Sequence, residues 1–377
     1  MRDELIEIGH RGLGVEGFAR AAARAIRRRV PFDGVCLLTL DPATLLPTSE
    51  ALVEDALPAE ATPRLGEIEV GEPDFNKFRA LARAPRPAAT LSEATDRDLD
   101  RSRRHRELMR PHGFDDELRT AIVGPGGAWG AISLQRGAGG RRFEPGDAEL
   151  LGALSPVLAE GLRQTVLLDP LAGAADGDAE VGMLLLDADG TVAEADPNAW
   201  HWLGQLGLAD SGLAPVAVRA VAGRARRLAR GTDEDEAPGK AAPGRDTAGP
   251  GEAPRKPATA RVRGHSGRWL TLRGSVLGGD ERARAAVTIE PASATQMAPL
   301  IADAYGLTDR ERAVTELVAQ GLPTAEIALR LHLSTYTVQD HLKAIFEKLG
   351  VGSRGELVAQ LFFRHYAPRL DSGPSRN

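Results

Sequence analysis

The fold of the C-terminal part of this chain is decided by residues 307–363, LTDRERAVTELVAQGLPTAEIALRLHLSTYTVQDHLKAIFEKLGVGSRGELVAQLFF. The segment predicts four short helices separated by turns. Thr308 and Glu311 have the spacing of a capping box, in which the hydroxyl accepts a hydrogen bond from the N3 amide and the carboxylate accepts one from the cap amide. Gly321 and Gly350 suit the left-handed position that ends a helix.

Further start signals place the other three helices. The second begins near Pro323, because the N–H that proline lacks would be unpaired at a first helical position. Ser334 caps the third helix, and Ser353, with Glu356 three residues on, opens the fourth as a second capping box. Apolar residues at helical spacing mark the buried edges: Ala313, Val314, Leu317 and Val318; Ile327, Ala328 and Leu331; Val338, Leu342, Ile345 and Leu349; Leu357, Val358, Leu361 and Phe362.

The third helix has two chemically different faces. At about 100° per residue its polar residues fall in a sector apart from its apolar stripe; they are Thr335, Tyr336, Gln339, Asp340 and Lys343. Hydroxyl groups and lysine suit phosphate, whereas an amide and a carboxylate can recognise base edges. A small helical bundle with a solvated face would need no particular polar residues there. We therefore predict that this helix lies in the major groove of DNA.

The segment resembles the C-terminal helix-turn-helix domain of the LuxR/GerE family of bacterial transcription regulators. The shared motifs are L-T-x-R-E-x-x-V from Leu307, E-I-A from Glu326, L-x-x-S-x-x-T-V-x-x-H-L from Leu331, and K-L-G-V from Lys348. The resemblance implies a regulator that binds double-stranded DNA, with DNA-binding residues Arg330, Ser334, Thr335, Tyr336, Thr337, Gln339, Asp340, Lys343 and Lys348. It also implies a homodimer through the fourth helix, with Leu357, Leu361, Phe362 and Phe363 as contacts; packing within the domain core is the alternative for the first three.

The segment departs from the family pattern in its charge. Pro323, Thr324 and Ala325 replace a usual Ser-Asn-Lys run, and Gln339 stands where lysine is common. Basic and acidic residues balance, so salt-driven, non-specific affinity for DNA should be weak. We expect useful affinity to require a dimer on two half-sites.

Composition limits the other classes of function. The net charge of −6 does not suit a general polyanion binder. Apolar runs stay short of the roughly 18 residues that span a bilayer, and the first twelve residues lack an apolar signal core, so we expect a cytoplasmic protein. The single cysteine, Cys36, excludes an intramolecular disulfide or a thiolate zinc cluster. It lies in an apolar run, where a buried structural thiol is expected rather than a redox sensor.

Residues 1–168 predict an α+β domain with an antiparallel sheet. The expected elements are an amphipathic helix over 3–29, a strand over 32–41, helical segments at 74–84 and 97–110, strands over 117–124 and 128–136 joined by a Pro-Gly-Gly turn, and a leucine-rich helix to about 165. The order is similar to that of a GAF domain, chiefly through W-G-x-I-x-L at 129–134 and R-x-F-x-x-x-D at 141–147.

The GAF resemblance implies either a small-molecule pocket between sheet and helices or a dimerisation module. The ligand-binding wall would involve Cys36, Leu38, Phe75, Phe78, His105, His112 and Phe114. The two histidines are seven residues apart across Pro111 and cannot form an i,i+4 pair on one helix, so we expect solvated surface histidines rather than metal or haem ligands.

Residues 169–180 form a Gly/Ala/Asp-rich linker before a second domain at 181–292. A hairpin at 181–204 with an Asp189-Gly190 turn, a helix after Asp196-Pro197, and strands over 260–277 and 283–291 resemble a PAS domain. An insertion at 231–260 is too poor in apolar residues to fold, and we predict disorder there. Trp200, His201, Trp202 and Trp269 could line a cavity, although packing in the core or at an edge is favoured.

The chain therefore reads as a multidomain α+β protein: a GAF-like domain, a PAS-like domain, an all-α four-helix domain at 300–366 and a tail at 367–377. Enzyme functions lack support, since phosphate-binding loops, metal-ligand clusters and a nucleophile elbow are missing from the sequence, and no cofactor is expected. In one hypothesis the N-terminal domains sense a small-molecule effector or a protein partner and set the geometry of the DNA-binding pair, and RNA polymerase is a possible partner of the regulator. In the other they bind nothing small, and the protein is a constitutive DNA-binding dimer or a scaffold.

Overall fold

The computed structural model describes residues 1–363 except 125, 138, 169–179, 209–211, 232–257, 279–283, 294–295, 298–299 and 301–302, with side chains described up to residue 359. Two five-stranded antiparallel sheets, each with helices, precede a helical C-terminal unit. In these ranges no helix has the length and apolar character needed to cross a membrane. The predicted linker at 169–180, except its last residue, and the tail at 367–377 lie outside the described residues.

The first unit is built on a sheet with the strand order β2-β1-β5-β4-β3. Its strands are β1 (Gly34–Leu40), β2 (Pro47–Glu54), β3 (Ala88–Thr90), β4 (Phe114–Gly124) and β5 (Gly127–Gly137). Its helices are α1 (Arg2–His10), α2 (Val15–Arg27), α3 (Thr62–Gly71), α4 (Phe78–Leu81), α5 (Leu91–Ala94) and α6 (Pro145–Leu168). Helices α1, α2 and α6 contribute to the apolar core on one face of the sheet. Gly161 permits this packing, because a Cβ there would lie 2.2 Å from the ring of Phe18.

The structure corrects several boundaries predicted for this unit. The helix expected over 3–29 is interrupted between α1 and α2, where Gly12 has a φ of +66°, a conformation that favours glycine. The helices expected at 74–84 and 97–110 shorten to α4 and to short turns at Leu99–Arg101 and His105–Met109. Strand β2 and helix α3 were not predicted. The three strands predicted over 32–41, 117–124 and 128–136, and the leucine-rich helix, are confirmed.

The second unit repeats the strand order, as β7-β6-β10-β9-β8. Its elements are β6 (Gly182–Leu186), β7 (Val192–Ala195), α7 (Pro197–Gln205), α8 (Val216–Ala229), β8 (Thr259–Arg263), β9 (Trp269–Leu277) and β10 (Arg284–Pro291). The hairpin with its turn at Gly190 and the helix expected after Asp196-Pro197 are confirmed, and the side chain of Asp196 caps this helix, α7. Trp202 and Trp269 are buried in apolar cores, whereas Trp200 is 47% exposed.

Two predictions for the second unit were wrong in detail. The strand expected over 260–277 is a hairpin of β8 and β9, because Gly267, with a φ of +83°, lets the chain reverse. The insertion was predicted to extend over 231–260, but residues 259 and 260 pair with β9, so the predicted end lies too far along the chain. Residues 232–257 of that insertion lie outside the described residues.

The first two units are joined by a buried ion pair. Asp41, at the end of β1, is 2% exposed, and Arg261, on β8, is 7% exposed. The guanidinium donates from Nε at 3.0 Å and from Nη2 at 2.7 Å to the two carboxylate oxygens, and the Arg261 backbone N–H donates to Oδ2 at 2.8 Å. Around this pair α8 packs on α3 and β2, and Leu46 of the β1–β2 loop joins the apolar core of the second unit.

Replacing Asp41 with asparagine should lower the free energy of unfolding by about 3 kcal/mol, because it leaves a buried guanidinium without its charged partner. Urea unfolding of the full chain measures this loss. The matched control is Arg273→Gln, which removes the surface pair with Glu290 at 3.2 Å and should cost less than about 1 kcal/mol. Equal losses in the two variants would contradict a special role for the buried pair.

Candidate nucleic-acid interface

The C-terminal unit consists of four helices, α9 (Asp309–Ala319), α10 (Thr324–Leu331), α11 (Thr335–Leu349) and α12 (Arg354–Phe363). The predicted capping box of α9 is confirmed: Thr308 N donates to Glu311 Oε2 at 2.7 Å, and Glu311 N donates to Thr308 Oγ1 at 3.4 Å. Pro323 is the cap of α10 rather than its first helical residue. Both ends of α11 match the prediction, with Ser334 accepting from Thr337 N at 3.0 Å and left-handed Gly350 at its C-terminus.

The turn between α10 and α11 sets the angle between these two helices. His332 ends α10 in the left-handed conformation, with φ +52° and ψ +46°, which a residue with a Cβ adopts at a cost. Leu333 N then donates to Ala328 O at 2.9 Å, which returns the chain toward α11. A strained turn is retained only where the surrounding packing enforces it.

Helix α11 separates its apolar and polar residues as predicted. Val338, Leu342, Ile345 and Leu349 are buried. The polar residues on the other side are exposed: Ser334, Thr335, Tyr336, Gln339, Asp340 and Lys343. Tyr336 is 71% exposed. Thr337 is partly buried, and its hydroxyl lies 2.9 Å from that of Ser334. The first two turns of α11 therefore present hydroxyl, phenol, amide, carboxylate and ammonium groups to solvent.

Two predicted DNA-binding cations have partners within the unit. Lys348 donates to Glu311 Oε2 at 2.6 Å and to Gly306 O at 3.2 Å. Burial opposes ionisation of Glu311, but the hydrogen bonds from Lys348 and Thr308 outweigh it and lower the pKa of that carboxyl. Arg330 is exposed and pairs with Glu326 at 3.3 Å, one helical turn earlier. Lys348 thus ties the end of α11 to the start of α9, whereas Arg330 stays near the surface.

The fourth helix carries the residues predicted for the dimer contact. Leu357 is fully buried in the apolar core, where its side chain packs within the unit. The side chains of Leu361, Phe362 and Phe363 lie outside the described residues. The start of α12 differs slightly from a capping box: Glu356 N donates to Ser353 Oγ at 3.1 Å, but the Glu356 carboxylate accepts from Gly352 rather than from Ser353.

Four of the ligand-binding residues predicted in the first unit lie in two apolar clusters. Leu38 and Phe78 belong to one apolar cluster, and Phe75 and Phe114 to another. Buried ion pairs lie against both clusters. Arg104 pairs with Asp74 at 3.1 Å and with Glu117 at 2.7 Å, and Arg119 pairs with Glu69 at 2.8 Å while lying over the Phe78 ring.

The remaining predicted wall residues differ in their exposure to solvent. Burial, together with Glu50 and Glu117, raises the pKa of Cys36 to about 12, so the thiol stays protonated at neutral pH. His105 was expected on the surface but is 3% exposed; its Nδ1 lies 3.3 Å from the Asp100 carboxylate. His112 is exposed, with its Nδ1 2.6 Å from Leu108 O.

The residues that connect the C-terminal unit to the sheets were not predicted from the sequence. Asp303, four residues before Leu307, is buried and contacts Arg312 of α9. A Cβ at Gly126, in the β4–β5 turn, would clash with the backbone of Asp303, so the two segments touch. Arg163 of α6 donates to Ala304 O. An aspartate and two arginines among many give no sequence signal of this contact, because their partners lie far apart in the chain.

Comparisons with known proteins agree with the geometry of the C-terminal unit. Residues 306–361 match the family described as bacterial regulatory proteins, luxR family. The chain is 44% identical over 64 residues to the transcriptional regulatory protein DesR of Bacillus subtilis, covering 17% of this chain and 32% of DesR. It is 46% identical over 55 residues to the spore germination protein GerE of the same species, covering 15% of this chain and 74% of GerE.

Other similarities are more limited. The transcriptional regulatory protein UhpA of Escherichia coli is 48% identical over 56 residues, covering 15% of this chain and 29% of UhpA. The chain thus spans about a third of the length of DesR and of UhpA. Among solved structures, PelD from Pseudomonas aeruginosa PAO1 aligns with 80% of both chains at 12% identity, but a TM-score of 0.29 supports no shared fold.

Replacing His332 with glycine should stabilise the C-terminal unit by about 1 kcal/mol, because glycine adopts the left-handed conformation without the Cβ clash. His332→Val, with a branched Cβ, should destabilise the unit. Thermal unfolding followed by circular dichroism measures both changes. A glycine variant no more stable than the native chain would indicate that the His332 side chain makes contacts that offset the strain.

Proposed function

Because the chain belongs, through residues 306–361, to the luxR family of bacterial regulatory proteins, we propose that it is a sequence-specific DNA-binding transcriptional regulator. The observation that carries the proposal is the exposed polar face of α11, which lies opposite a buried apolar stripe. DesR and UhpA, which carry similar segments, are named as transcriptional regulatory proteins.

In the proposed complex the N-terminal half of α11 enters the major groove. Ser334, Thr335 and Thr337 lie at the helix N-terminus, where hydroxyls and unpaired amides suit a phosphate group. Gln339 has the donor and acceptor pair that recognises adenine, and Lys343, one turn further along, reaches a phosphate or guanine. Tyr336 and Asp340 complete the contact, with Arg330 at its edge. Lys348 is left out because its ammonium group is bonded to Glu311.

The proposed complex is a homodimer. Acidic and basic residues balance in the C-terminal unit, so a monomer gains little from counterion release. Two units on neighbouring half-sites would double the groove contacts. Residues 361–363 of α12 remain candidates for the contact between the two copies.

We further propose that the two N-terminal units, which resemble GAF and PAS domains, sense a small molecule or a protein partner and set the geometry of the DNA-binding pair. The support is the packing of the connecting segment: Asp303 contacts Arg312 of α9, and Ala304 accepts a hydrogen bond from Arg163 of α6. A change in either sheet unit would therefore alter the connecting segment that contacts α9. Such coupling needs only a different ligand affinity in two arrangements.

A second candidate function is a constitutive DNA-binding dimer or protein-interaction scaffold without a small-molecule ligand. It is favoured by the ion pairs of Arg104 and Arg119, which occupy the region predicted as the GAF-like pocket. RNA polymerase would be a partner in either case if the regulator activates transcription.

Lys343→Ala should weaken DNA binding on every sequence and lower the slope of log K against log salt by about 0.9. Gln339→Ala should instead relax discrimination at one base pair, by about 1–3 kcal/mol. Fluorescence anisotropy with a genomically selected operator and its point variants, across a salt series, measures both quantities.

The matched control for the lysine variant is Lys348→Gln, on the same helix. It should lower the stability of the unit and leave the salt slope unchanged, because its ammonium contacts Glu311. If Lys343→Ala and Gln339→Ala both bind like the native chain, this docking of α11 is wrong.

Asp303 should give the stability of the protein a specific dependence on pH. Burial raises the pKa of Asp303 from about 3.8 to about 6, although Arg312 and Arg261 oppose this and Asp41 adds to it. The folded state therefore favours the protonated carboxyl. Its contribution is fully present below pH 3.8 and is lost as pH rises through 6, at up to about 1.4 kcal/mol per pH unit.

Asp303→Asn cannot titrate and should lack this loss. Urea unfolding of both proteins between pH 4 and 7 gives the difference in slope, from which other titrating groups cancel. Parallel pH profiles for the native chain and the variant would show that Asp303 is not held in the buried contact.

A further inference from the structure

The second sheet has one face that helices cover and one that is partly open. Gly182 lies against Ala199 of α7 and Gly274 against Val221 of α8, so closely that a Cβ on either glycine would clash. Because side chains alternate along a strand, the neighbouring residues of β6 and β9 point to the opposite face. One end of that face, at Trp269, is covered by apolar residues of the segment that follows β10. The other end carries exposed side chains.

The open end of this face carries apolar side chains where polar ones are expected. Met183 is 52% exposed and Leu277 is 53% exposed. Leu185 and Ala286 are paired across β6 and β10 on the same face and do not belong to the apolar core of the unit. An antiparallel sheet with one solvated face normally alternates apolar residues inward and polar residues outward. A contiguous apolar patch on the outward side therefore indicates a surface that a partner covers.

The charged residues of the open face are arranged by sign. Glu194 on β7 and Asp187, directly after β6, lie toward one edge, and they pair with Arg284 of β10 at 3.3 and 3.4 Å. Arg273 of β9 lies toward the other edge and pairs with Glu290 at 3.2 Å. The side chains of Glu194 and Arg273 are 70% and 56% exposed. The face thus carries an excess of negative charge at β7 and β6 and a positive charge at β9.

A two-fold axis that lies in the plane of the contact makes this face complementary to itself. With the axis between β6 and β10 and parallel to them, β6 lies over β10 of the second copy, and β7 lies over β9. Leu185 then meets Ala286 of the second copy at the centre. Asp187 meets Arg284 of the second copy beside it. Each pair occurs twice in such a contact, and side chains span the roughly 10 Å between two sheets packed face to face.

We propose that this open sheet face is an interface with a second copy of the chain. In the contact, Met183, Leu185 and Leu277 are removed from water, and Glu194 of each copy pairs with Arg273 of the other. Four strands about 4.8 Å apart and three rows of outward side chains give the open part an area on the order of 400 Å² per copy. A stable interface buries roughly 800 Å² per partner, so this contact is weak alone and adds to a contact elsewhere in the pair.

The contact connects the second sheet unit to the geometry of the proposed DNA-binding pair. Two chains on neighbouring half-sites are already close together, so a weak contact between them forms at a high effective concentration. The inference deepens the proposed homodimer and rests on it for this consequence. Self-association through the sheet face does not itself require DNA.

The test is sedimentation equilibrium of the full chain without DNA, over a wide range of protein concentration. Glu194→Arg and Arg273→Glu should each raise the dissociation constant of the dimer about tenfold, because a like-charge contact replaces an attractive one. The double variant should return the constant to near the native value. Within one chain, β7 and β9 are three strand spacings apart, about 14 Å, so only a second chain can provide this rescue.

Met183→Glu should also weaken self-association, because it places a charge in the apolar part of the contact. The matched control is Val53→Glu, since Val53 is 47% exposed on β2 of the first unit; it should associate like the native chain. The unfolding midpoint of each variant establishes that it is folded.

Three results overturn the proposal: a native chain that is monomeric at every concentration, a double variant that associates no better than its single parents, or equal effects of Met183→Glu and Val53→Glu. DNA binding by α11 is measured separately, through the Lys343 and Gln339 variants. Failure of the sheet contact therefore does not count against the regulator proposal.

Discussion

The arrangement of the two sheet units depends on charges that are buried where the units meet. Asp41 and Arg261 are 220 residues apart in the chain, and Arg261 donates three hydrogen bonds to the Asp41 carboxylate. Moving each ion out of water costs several kcal/mol. The attraction between the two ions offsets this cost only when their geometry is near ideal. An apolar contact tolerates sliding, whereas a bidentate pair does not. The pair therefore stabilises the interface weakly but specifies one relative position of the units strongly.

The same constraint reaches the DNA-binding helices through a short path. Arg261 donates to Gln296 O in the segment that leaves the second sheet, and Asp303 further along contacts Arg312 of α9. Lys348 then bonds the end of α11 to Glu311 of α9. Each step is a polar contact with a defined direction. The orientation of α11 is thereby connected to the sheets by hydrogen bonds as well as by the apolar core that the first and C-terminal units share.

The C-terminal unit could be predicted closely because its signals are local. Capping residues, left-handed glycines and apolar spacing act within a few residues, so Thr308, Ser334 and Gly350 determine helix ends wherever the unit lies. The single helix expected over 3–29 failed for a related reason: apolar periodicity continues across Gly12, and only the backbone conformation of that residue breaks it. Strand β2 was missed because much of it is only partly buried and its sequence lacks a clear alternation.

The contacts between units could not be predicted, because they depend on pairs that are distant in sequence. Arg224 and Arg227 look like ordinary solvated residues of an arginine-rich helix, yet packing against α3 buries both. His105 looks like a surface residue of a charged segment, yet it is buried within the turn His105–Met109 that replaces part of the expected helix. In each case the residue type predicts an exposed side chain, whereas the tertiary fold buries that side chain. Which charged residues are buried depends on the tertiary fold and cannot be inferred from composition. The residues most informative about how the units pack together are therefore the cations and carboxylates that the fold buries.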